Sequence, residues 1–228
     1  MTPATPAGSP DGLGPPRPVT AVVLGGLSLV VVALTAWLAV KPAAQSAQTA
    51  VVQWFNHPPQ PIAALFALVN PLLRPVPLLL VAGVLVGWIL VTAWRTSQRL
   101  EVLRALVLAV ALSELLAQVL KRLADQPRPL EVVPGLDPHG YPISPHGNAY
   151  PSAHTAVTVA VVAALWPWMR WPWRVAGVAI AVLTACNRIY IAAHWPLDVV
   201  GGAAIGLFCG SVTWLVATRW PLHRVLHA

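Results

Sequence analysis

The sequence predicts an all-α fold, built as a bundle of six transmembrane helices. Hydrophobic residues make up 57% of its 228 residues and charged residues only 9%, whereas soluble domains carry about a quarter charged residues. Crossing the hydrocarbon of a bilayer takes about 20 apolar residues as a helix. Six apolar stretches approach that length, at roughly 19–40, 72–94, 102–120, 153–169, 174–190 and 197–217. We therefore expect an integral membrane protein whose main partner is the lipid bilayer.

The ends of the chain predict short tails around one membrane domain, residues 19–220. Residues 1–18 are rich in Pro and Gly without periodicity, which is typical of a disordered segment. The apolar run that follows is longer than the roughly 7–15 residues of a signal-peptide core, so we expect a retained span. Residues 221–228 are expected to form a short cytoplasmic tail. Between the first two spans, Trp54 and Phe55 beside prolines predict a segment at the membrane interface.

The distribution of cations predicts which side of the membrane each loop faces. With six spans, one side carries eight Lys and Arg residues: Arg17, Arg95, Arg99, Arg104, Arg170, Arg174, Arg219 and Arg224. The other side carries six: Lys41, Arg74, Lys121, Arg122, Arg128 and Arg188. Three of these six, Lys121, Arg128 and Arg188, are candidates for the binding site described below. When they are set aside, eight cations face three, and the positive-inside rule places both termini in the cytoplasm. The loops 121–152 and 187–197 then share the outer face.

Other features of the composition narrow the choice of partners. The net charge of +7 does not predict a nucleic-acid partner, because the cations are scattered singly between apolar runs. Cys186 and Cys209 lie inside apolar runs and are expected to be packing residues rather than a disulfide. The tryptophans within 166–173 predict an interface belt. No feature of the sequence predicts an oligomeric state.

Ionisable residues converge on the predicted outer face, in three segments that leave or enter spans. The segments are KRLADQPRP (121–129), YPSAH (150–154) and NRIYIAAHWPLD (187–198). Lys121, Arg128 and Arg188 would surround one point with positive charge, which suits a group with more than one negative charge, and Arg forks match phosphate oxygens. Pro151 suits the start of a helix, whose free backbone N–H groups would bind an anion, and Ser152 offers a hydroxyl group. The sequence therefore predicts a phosphate-binding site.

Two histidines and one aspartate supply groups for chemistry at this site. Asp198 follows His194 by four residues, so its carboxylate could accept the Nδ1 proton of His194 and leave Nε2 as a nucleophile. His154 would protonate the leaving oxygen. No His, Cys, Asp or Glu set has metal-ligand spacing, so we expect no metal and no cofactor, with the cations supplying electrostatic stabilisation. The predicted reaction is phosphoryl transfer through a phosphohistidine.

The same three segments resemble the motifs of the type 2 phosphatidic acid phosphatase superfamily, the lipid phosphate phosphatases. Lys121, six residues, then Arg128-Pro129 resembles the first motif. Pro151-Ser152-Ala153-His154 resembles the second, usually Pro-Ser-Gly-His. The third, which usually opens with Ser-Arg, is matched by Asn187-Arg188, five residues, His194, three residues and Asp198.

The resemblance implies a helical bundle shared with vanadium haloperoxidases, and a metal-independent dephosphorylation. It implies that His194 is the nucleophile, Asp198 its partner and His154 the general acid. The phosphate clamp implied by the motifs comprises Lys121, Arg128, Ser152 and Arg188, with the backbone N–H of Ala153 beside them. Two positions depart from the family pattern: Ala153 adds a methyl group where Gly is usual, and Asn187 replaces Ser but can still donate a hydrogen bond.

Together these implications predict a membrane phosphatase that acts on a lipid-linked phosphate or pyrophosphate at the outer leaflet. The compact six-span chain resembles bacterial members, which favours a bacterial plasma membrane and undecaprenyl pyrophosphate, with phosphatidic acid and phosphatidylglycerophosphate as the other substrates. Two alternatives stay open: a lipid-phosphate-binding protein without catalysis, and a small transporter that uses Glu114 inside the third span. Glu114 is interpreted first as a packing residue. The loop 130–150, with His139 and His146, is interpreted first as a connector and otherwise as a lid.

Overall fold

The computed structural model describes residues 17–73, 97–141 and 147–219, and all regular secondary structure in these residues is helical. The predicted all-α class is therefore confirmed for this part of the chain. The tail up to residue 16, most of the predicted second span and the C-terminal tail lie outside the described residues. The helices are α1 Pro18–Ala39, α2 Pro42–Asn56, α3 Gln60–Val69, α4 Ser97–Ala124, α5 Pro129–Val132, α6 Ala153–Leu165, α7 Trp171–Tyr190 and α8 Pro196–Arg219, with a 3₁₀ turn at Trp166–Trp168 after α6.

Three helical stretches in the described residues are long and apolar enough to cross a membrane: Pro18–Ala39, Leu100–Val132 and Pro196–Arg219. The predicted third and sixth spans fall inside two of these stretches, and the predicted first span, 19–40, matches Pro18–Ala39 to within one residue. The predicted fourth span is a shorter apolar helix, Ala153–Trp168, and the predicted fifth span corresponds to α7. The chain is thus an integral membrane protein with apolar helices, while the count of six spans stays a prediction.

Proline marks where many of these helices begin. Pro18, Pro42, Pro129 and Pro196 are each the first residue of a helix, and Pro172 follows the first residue of α7. The ring of proline fixes φ near the helical value. Backbone N–H groups in the first turn have no partner inside the helix, so proline loses no hydrogen bond there and is well tolerated. The segment that connects the first two predicted spans, and that was predicted to lie at the membrane interface, forms the two helices α2 and α3.

A stripe of glycines on α8 lets this helix approach α6 closely. A Cβ added at Gly206 would lie 2.6 Å from the carbonyl oxygen of Ala156, and one added at Gly202 would overlap the carbonyl oxygen of Ser152. Gly210 faces Ala163 in the same way. Small residues four apart allow such close packing of membrane helices. Since the contacts advance in the same direction along both helices, α6 and α8 run parallel and both begin at the same end of the bundle.

We expect Gly206→Val to destabilise the protein by about 1–3 kcal/mol, because the added side chain would force α6 and α8 apart. The thermal unfolding midpoint in detergent measures this effect. Gly26→Val is the matched control, because a Cβ at Gly26 on α1 meets nothing within 4 Å. Equal midpoints for the two variants would show that the close approach of α6 and α8 contributes nothing to stability.

Candidate active site

Hydrogen bonds to backbone carbonyl oxygens bring the three sequence motifs together at one end of the bundle. The indole Nε1 of Trp195 donates to the carbonyl oxygen of Pro127 at 2.9 Å, which joins the third motif to the first. The N–H of Ser152 donates to the carbonyl oxygen of Asp198 at 2.9 Å, which joins the second motif to the third. Further bonds run from Ala149 N–H to Gln126 O at 2.7 Å and from Leu130 N–H to Ala192 O at 3.2 Å. The predicted site residues therefore share one location.

Two of the predicted phosphate-binding cations, Lys121 and Arg188, have uncharged hydrogen-bond and aromatic partners. The Nζ of Lys121 donates to the carbonyl oxygen of Asn148 at 3.2 Å, and the Asn148 amide donates back to the carbonyl oxygen of Lys121 at 2.6 Å. The guanidinium of Arg188 is 1% exposed, lies 4.7 Å from the centre of the Tyr141 ring and donates to the carbonyl oxygen of Leu73 at 3.4 Å. These partners fix the side chains and leave their positive charge in place for an anion.

Arg128 lies beside Gly147, in the part of the loop 130–150 that is described again from residue 147. A Cβ at Gly147 would be 3.6 Å from Nε and Nη2 of Arg128. In the described part of the chain, the Nε atoms of Arg128 and Arg188 are buried and have no hydrogen-bond partner. Buried donors of this kind are normally satisfied, so a bound oxyanion would complete the hydrogen bonding of both guanidinium groups.

His194 and Asp198 lie side by side at the base of this cluster. His194 is 3% exposed and Asp198 is fully buried. The distance from His194 Nδ1 to Asp198 Oδ2 is 3.5 Å, which is longer than a hydrogen bond. Asp198 Oδ2 accepts the backbone N–H of Trp195 at 2.7 Å, so the carboxylate is held in position by the loop that carries His194. Catalytic hydrogen bonds are often long in unliganded sites and shorten when substrate binds.

The surroundings of His194 favour a neutral imidazole. Burial, together with the charges of Lys121, Arg128, Arg188 and His154, holds the pKa of His194 well below its usual value. Desolvation and nearby positive charge both disfavour the imidazolium. At neutral pH the ring therefore keeps a lone pair, which a nucleophile requires.

The depressed pKa of His194 predicts a pH dependence with a defined sign. The unfolded chain binds a proton here below about pH 6.5, whereas the folded chain does not, so this group destabilises the fold as the pH falls. We expect the ring of His194 to stay neutral at pH 6 in ¹³C NMR of histidine-labelled protein, its signal being assigned by loss in His194→Gln. The unfolding midpoint should also fall more steeply from pH 7 to 5 in the wild type than in that variant. A His194 signal that titrates near 6.5 would contradict this.

The second motif forms the N-terminus of α6. Ser152 is fully buried, and its Oγ accepts a hydrogen bond from Thr155 Oγ1 at 3.0 Å. Among the described residues no side chain caps this helix. The first N–H groups of a helix lack partners inside the helix, and here they belong to Ala153 and His154. The free donors and the partial positive charge of the helix end make this a place for an anion.

Apart from Asn187, which was expected to donate a hydrogen bond, the residues that position the site carried no recognisable signal in the sequence. Tyr150 donates from its hydroxyl to the carbonyl oxygen of Val32 at 2.8 Å and so ties the second motif to α1. Asn187, which stands where the family usually has Ser, donates to the side-chain oxygen of Asn70 at 3.2 Å, just after α3. Asn148 and Tyr141 hold cations, as described above. From the sequence alone, a single Asn or Tyr beside a functional site cannot be distinguished from one that lies among the lipid headgroups.

The described part of the loop 130–150 is anchored to the bundle. Asn56, at the end of α2, is fully buried and donates to the carbonyl oxygens of Tyr190 and Asp137, both at 2.7 Å. The ring of His139 stacks on Tyr190 at 4.0 Å, and its Nε2 lies 2.9 Å from the carbonyl oxygen of Asn56. These contacts hold the loop near Tyr141, whose ring lies against Arg188. His146 lies outside the described residues.

Glu114 has a local partner. Its Oε1 accepts a hydrogen bond from the amide of Gln118 at 2.7 Å, one turn later on α4. Cys186 and Cys209 are both free thiols. In residues 17–73, 97–141 and 147–219, no three His, Cys, Asp or Glu side chains form a group that could hold a metal ion.

The chain is similar in sequence to known phosphatases. The chain is 28% identical to the undecaprenyl-diphosphatase of Sulfolobus acidocaldarius over 146 residues, which is 60% of this chain and 67% of that one. It is 32% identical to the lipid A 1-phosphatase of Rhizobium johnstonii over 143 residues, 53% of this chain and 54% of that one, so it spans about half the length of that relative.

The fold is shared with a solved membrane phosphatase. The crystal structure of the first transmembrane PAP2 type phosphatidylglycerolphosphate phosphatase from Bacillus subtilis superimposes with a TM-score of 0.64 at 20% identity, over 90% of this chain and 97% of that one. The model of the PAP2 superfamily matches residues 102–221, more than half of the chain. The matched region contains all three motifs, and the chain therefore belongs to the PAP2 superfamily.

Proposed function

We propose that this chain hydrolyses a lipid-linked phosphate or pyrophosphate, with undecaprenyl pyrophosphate as the substrate of first choice and phosphatidic acid or phosphatidylglycerophosphate as the others. The observation that carries the proposal is the His194 imidazole, buried and kept neutral beside Asp198 within a group of three cations. Cations alone would bind a phosphate, whereas a neutral imidazole among them adds a nucleophile. The undecaprenyl-diphosphatase among the relatives supports the choice of lipid.

In the first proposed step, the headgroup oxygens accept hydrogen bonds from Lys121, Arg128 and Arg188. His194 Nε2 attacks the terminal phosphorus in line, so that a P–N bond forms while the P–O bond to the leaving group breaks. The negative charge of the bound headgroup favours the protonated form of His154, which gives its proton to the leaving oxygen. For a lipid pyrophosphate, the leaving group is the lipid monophosphate.

In the second proposed step, neutral His154 takes a proton from water, and the water oxygen attacks the phosphorus of the phosphohistidine. The P–N bond breaks, inorganic phosphate leaves and His194 is restored. The carboxylate of Asp198 stabilises the charge on the imidazole of His194 in both steps. From the distribution of cations, the proposal places the site at the outer face of a bacterial plasma membrane, with six spans and both termini in the cytoplasm.

Phosphate release by detergent-purified protein tests the proposal. The substrates are undecaprenyl pyrophosphate, phosphatidic acid, phosphatidylglycerophosphate and a water-soluble phosphate ester, each assayed with wild type and His194→Ala. We expect release that depends on His194, fastest with undecaprenyl pyrophosphate. No release from any lipid would contradict the phosphatase and favour a protein that only binds lipid phosphates.

Chelation is expected to leave the activity unchanged, because three side-chain cations supply the charge that Mg²⁺ supplies in other phosphoryl transfers. The measurement is phosphate release after dialysis against EDTA, with and without added Mg²⁺. Activity that is lost in EDTA and restored by Mg²⁺ would contradict the metal-independent mechanism.

A further inference from the structure

Helix α2 has one buried stripe, and this stripe faces the third sequence motif. The buried residues of α2 are Gln48, Val52 and Asn56, spaced four apart, so they lie on one face of the helix. From Gln48 to Asn56 the helix rises by about 12 Å at 1.5 Å per residue. The family model matches residues 102–221, so α2 lies outside the matched region and belongs to none of the three motifs.

The connection between α7 and α8, which the stripe contacts, is not helical. It comprises residues 191–195 and carries His194. Ala192 in this connection has a φ of 56°. That left-handed conformation costs free energy for a residue other than glycine, and it persists only where the surrounding contacts enforce it. The connection therefore depends on contacts from outside itself to keep one shape.

One end of the stripe holds the start of α8. The Oε1 atom of Gln48 accepts a hydrogen bond from the backbone N–H of Leu197 at 3.1 Å. Leu197 is the second residue of α8, where backbone N–H groups have no partner inside their own helix. Gln48 supplies that partner from another helix. Because Asp198 is the next residue, the contact fixes the backbone that carries the carboxylate beside His194.

The other end of the stripe holds the end of α7. The Asn56 amide donates to the carbonyl oxygens of Tyr190 and Asp137, and its oxygen accepts the backbone N–H of Asp137 at 2.9 Å. Tyr190 follows Arg188 by two residues. Asp137 lies four residues before Tyr141, whose ring lies 4.7 Å from the Arg188 guanidinium. Asn56 therefore constrains Arg188 both through α7 and through the loop 130–150.

Between these two ends, Val52 packs against the connection itself. Val52 is fully buried and shares an apolar cluster with Ala192 and Trp195. Trp195 is the residue after His194. Since the contacts along α2 occur in the reverse order of the sequence they touch, the segment 190–197 runs antiparallel to α2 and is held by it at both ends and in the middle.

We propose that Gln48 and Asn56 are positioning residues for the phosphatase reaction. Gln48 sets the position of Asp198 beside His194, and Asn56 sets the position of the Arg188 guanidinium. This inference rests on the proposed function. Each of the two residues acts through the backbone that it holds, so the two should affect different steps. Gln48 should affect the chemical step, and Asn56 should affect the binding of phosphate.

Removing the side-chain oxygen of Gln48 tests the first half. Gln48→Met keeps the length of the side chain but has no oxygen to accept the bond. We expect kcat on the lipid that the wild type hydrolyses fastest to fall about tenfold or more, because displacing a reacting group by about 1 Å costs up to about 100-fold. The Kd for inorganic phosphate, measured by titration calorimetry, should stay at the wild-type value. In an Asp198→Asn background, Gln48→Met should lower kcat little further.

Removing the amide of Asn56 tests the second half. Asn56→Leu is similar in size and makes no hydrogen bonds. We expect the Kd for inorganic phosphate to rise about tenfold, the scale of one hydrogen bond to a charged group. In an Arg188→Lys background the same change should add little, because the guanidinium is already absent. Asn56→Asp, which loses both donated bonds, gives a second test if Asn56→Leu does not fold.

Gln53 provides the matched controls, because it is exposed on the same helix. Gln53→Met and Gln53→Leu should keep the wild-type kcat and Kd. If the two stripe variants changed kcat and Kd alike, or if their effects were fully additive with Asp198→Asn and Arg188→Lys, the inference would be overturned, since a general loss of packing acts on every step. Wild-type values in either stripe variant would remove that residue from the inference.

The measurements also separate this inference from the proposed function. Wild-type kcat and Kd in both stripe variants, with His194→Ala inactive, would overturn the positioning roles and leave the phosphatase intact. If the wild type released no phosphate from any lipid, the proposed function would fall, and the role of Gln48 in chemistry would fall with it. The Kd for inorganic phosphate does not require catalysis, so an unchanged value in Asn56→Leu would then overturn the role of Asn56 as well.

Discussion

Replacing His194 with alanine is expected to lower phosphate release by about 10⁴-fold or more, the scale on which enzymes lose activity with their nucleophile. Without Nε2 there is no atom to form the P–N bond, and the remaining cations can only bind the substrate. KM is expected to change little, because Lys121, Arg128 and Arg188 keep their contacts. The measurement is phosphate release with undecaprenyl pyrophosphate at saturating concentration.

Two further measurements show whether the loss comes from chemistry or from folding. The unfolding midpoint of His194→Gln, which refills part of the buried space, should stay close to that of the wild type while its activity is lost as well. His57→Ala is the matched control, because His57 is exposed and lies outside the three motifs. Rapid quenching with ³²P-labelled substrate should trap a phosphoenzyme in the wild type and none in His194→Ala. Full activity in His194→Ala would remove it as the nucleophile.

The convergence of the candidate site residues was predictable from the sequence because they belong to residue types that are rare in this chain. With charged residues at only 9%, Lys121, Arg188 and Asp198 at span ends were conspicuous. Their spacing placed them on loops that share a face, and the structure brings those loops together through Trp195 and Ser152. Rare polar groups in membrane segments are costly, which is why they indicate function.

The supporting contacts were not predictable, for a physical reason. Asn56 bonds to Tyr190 across 134 positions of sequence, and Tyr150 bonds to Val32 across 118. Hydrogen bonds between residues so far apart in the sequence depend on how the helices pack. No local sequence pattern around an Asn or a Tyr predicts them. The packing of α6 on α8, which was not predicted, does have a signal in the sequence. Gly202, Gly206 and Gly210 are four residues apart, a spacing of small residues that is typical of closely packed membrane helices.

Arg188→Lys is expected to lower kcat/KM about 10- to 100-fold, even though the charge is kept. A hydrogen bond to a charged group contributes about 1.5–3 kcal/mol, and an ammonium cannot reproduce the paired N–H donors of a guanidinium. Arg188 is 1% exposed, and its Cζ lies over the ring of Tyr141, 4.7 Å from the ring centre. A lysine ammonium would not present the same planar group to that ring. The measurement is kcat and KM on undecaprenyl pyrophosphate and on the soluble ester.

Because the guanidinium contacts the phosphate rather than the tail, the loss should be the same for both substrates. Arg122→Lys is the matched control, since Arg122 is exposed on α4 one residue after Lys121, and its kinetics should stay at wild-type values. If Arg188→Lys also kept wild-type kinetics, Arg188 would have no place in the clamp, and the buried guanidinium would have to be explained by its contacts with Tyr141 and Leu73 alone.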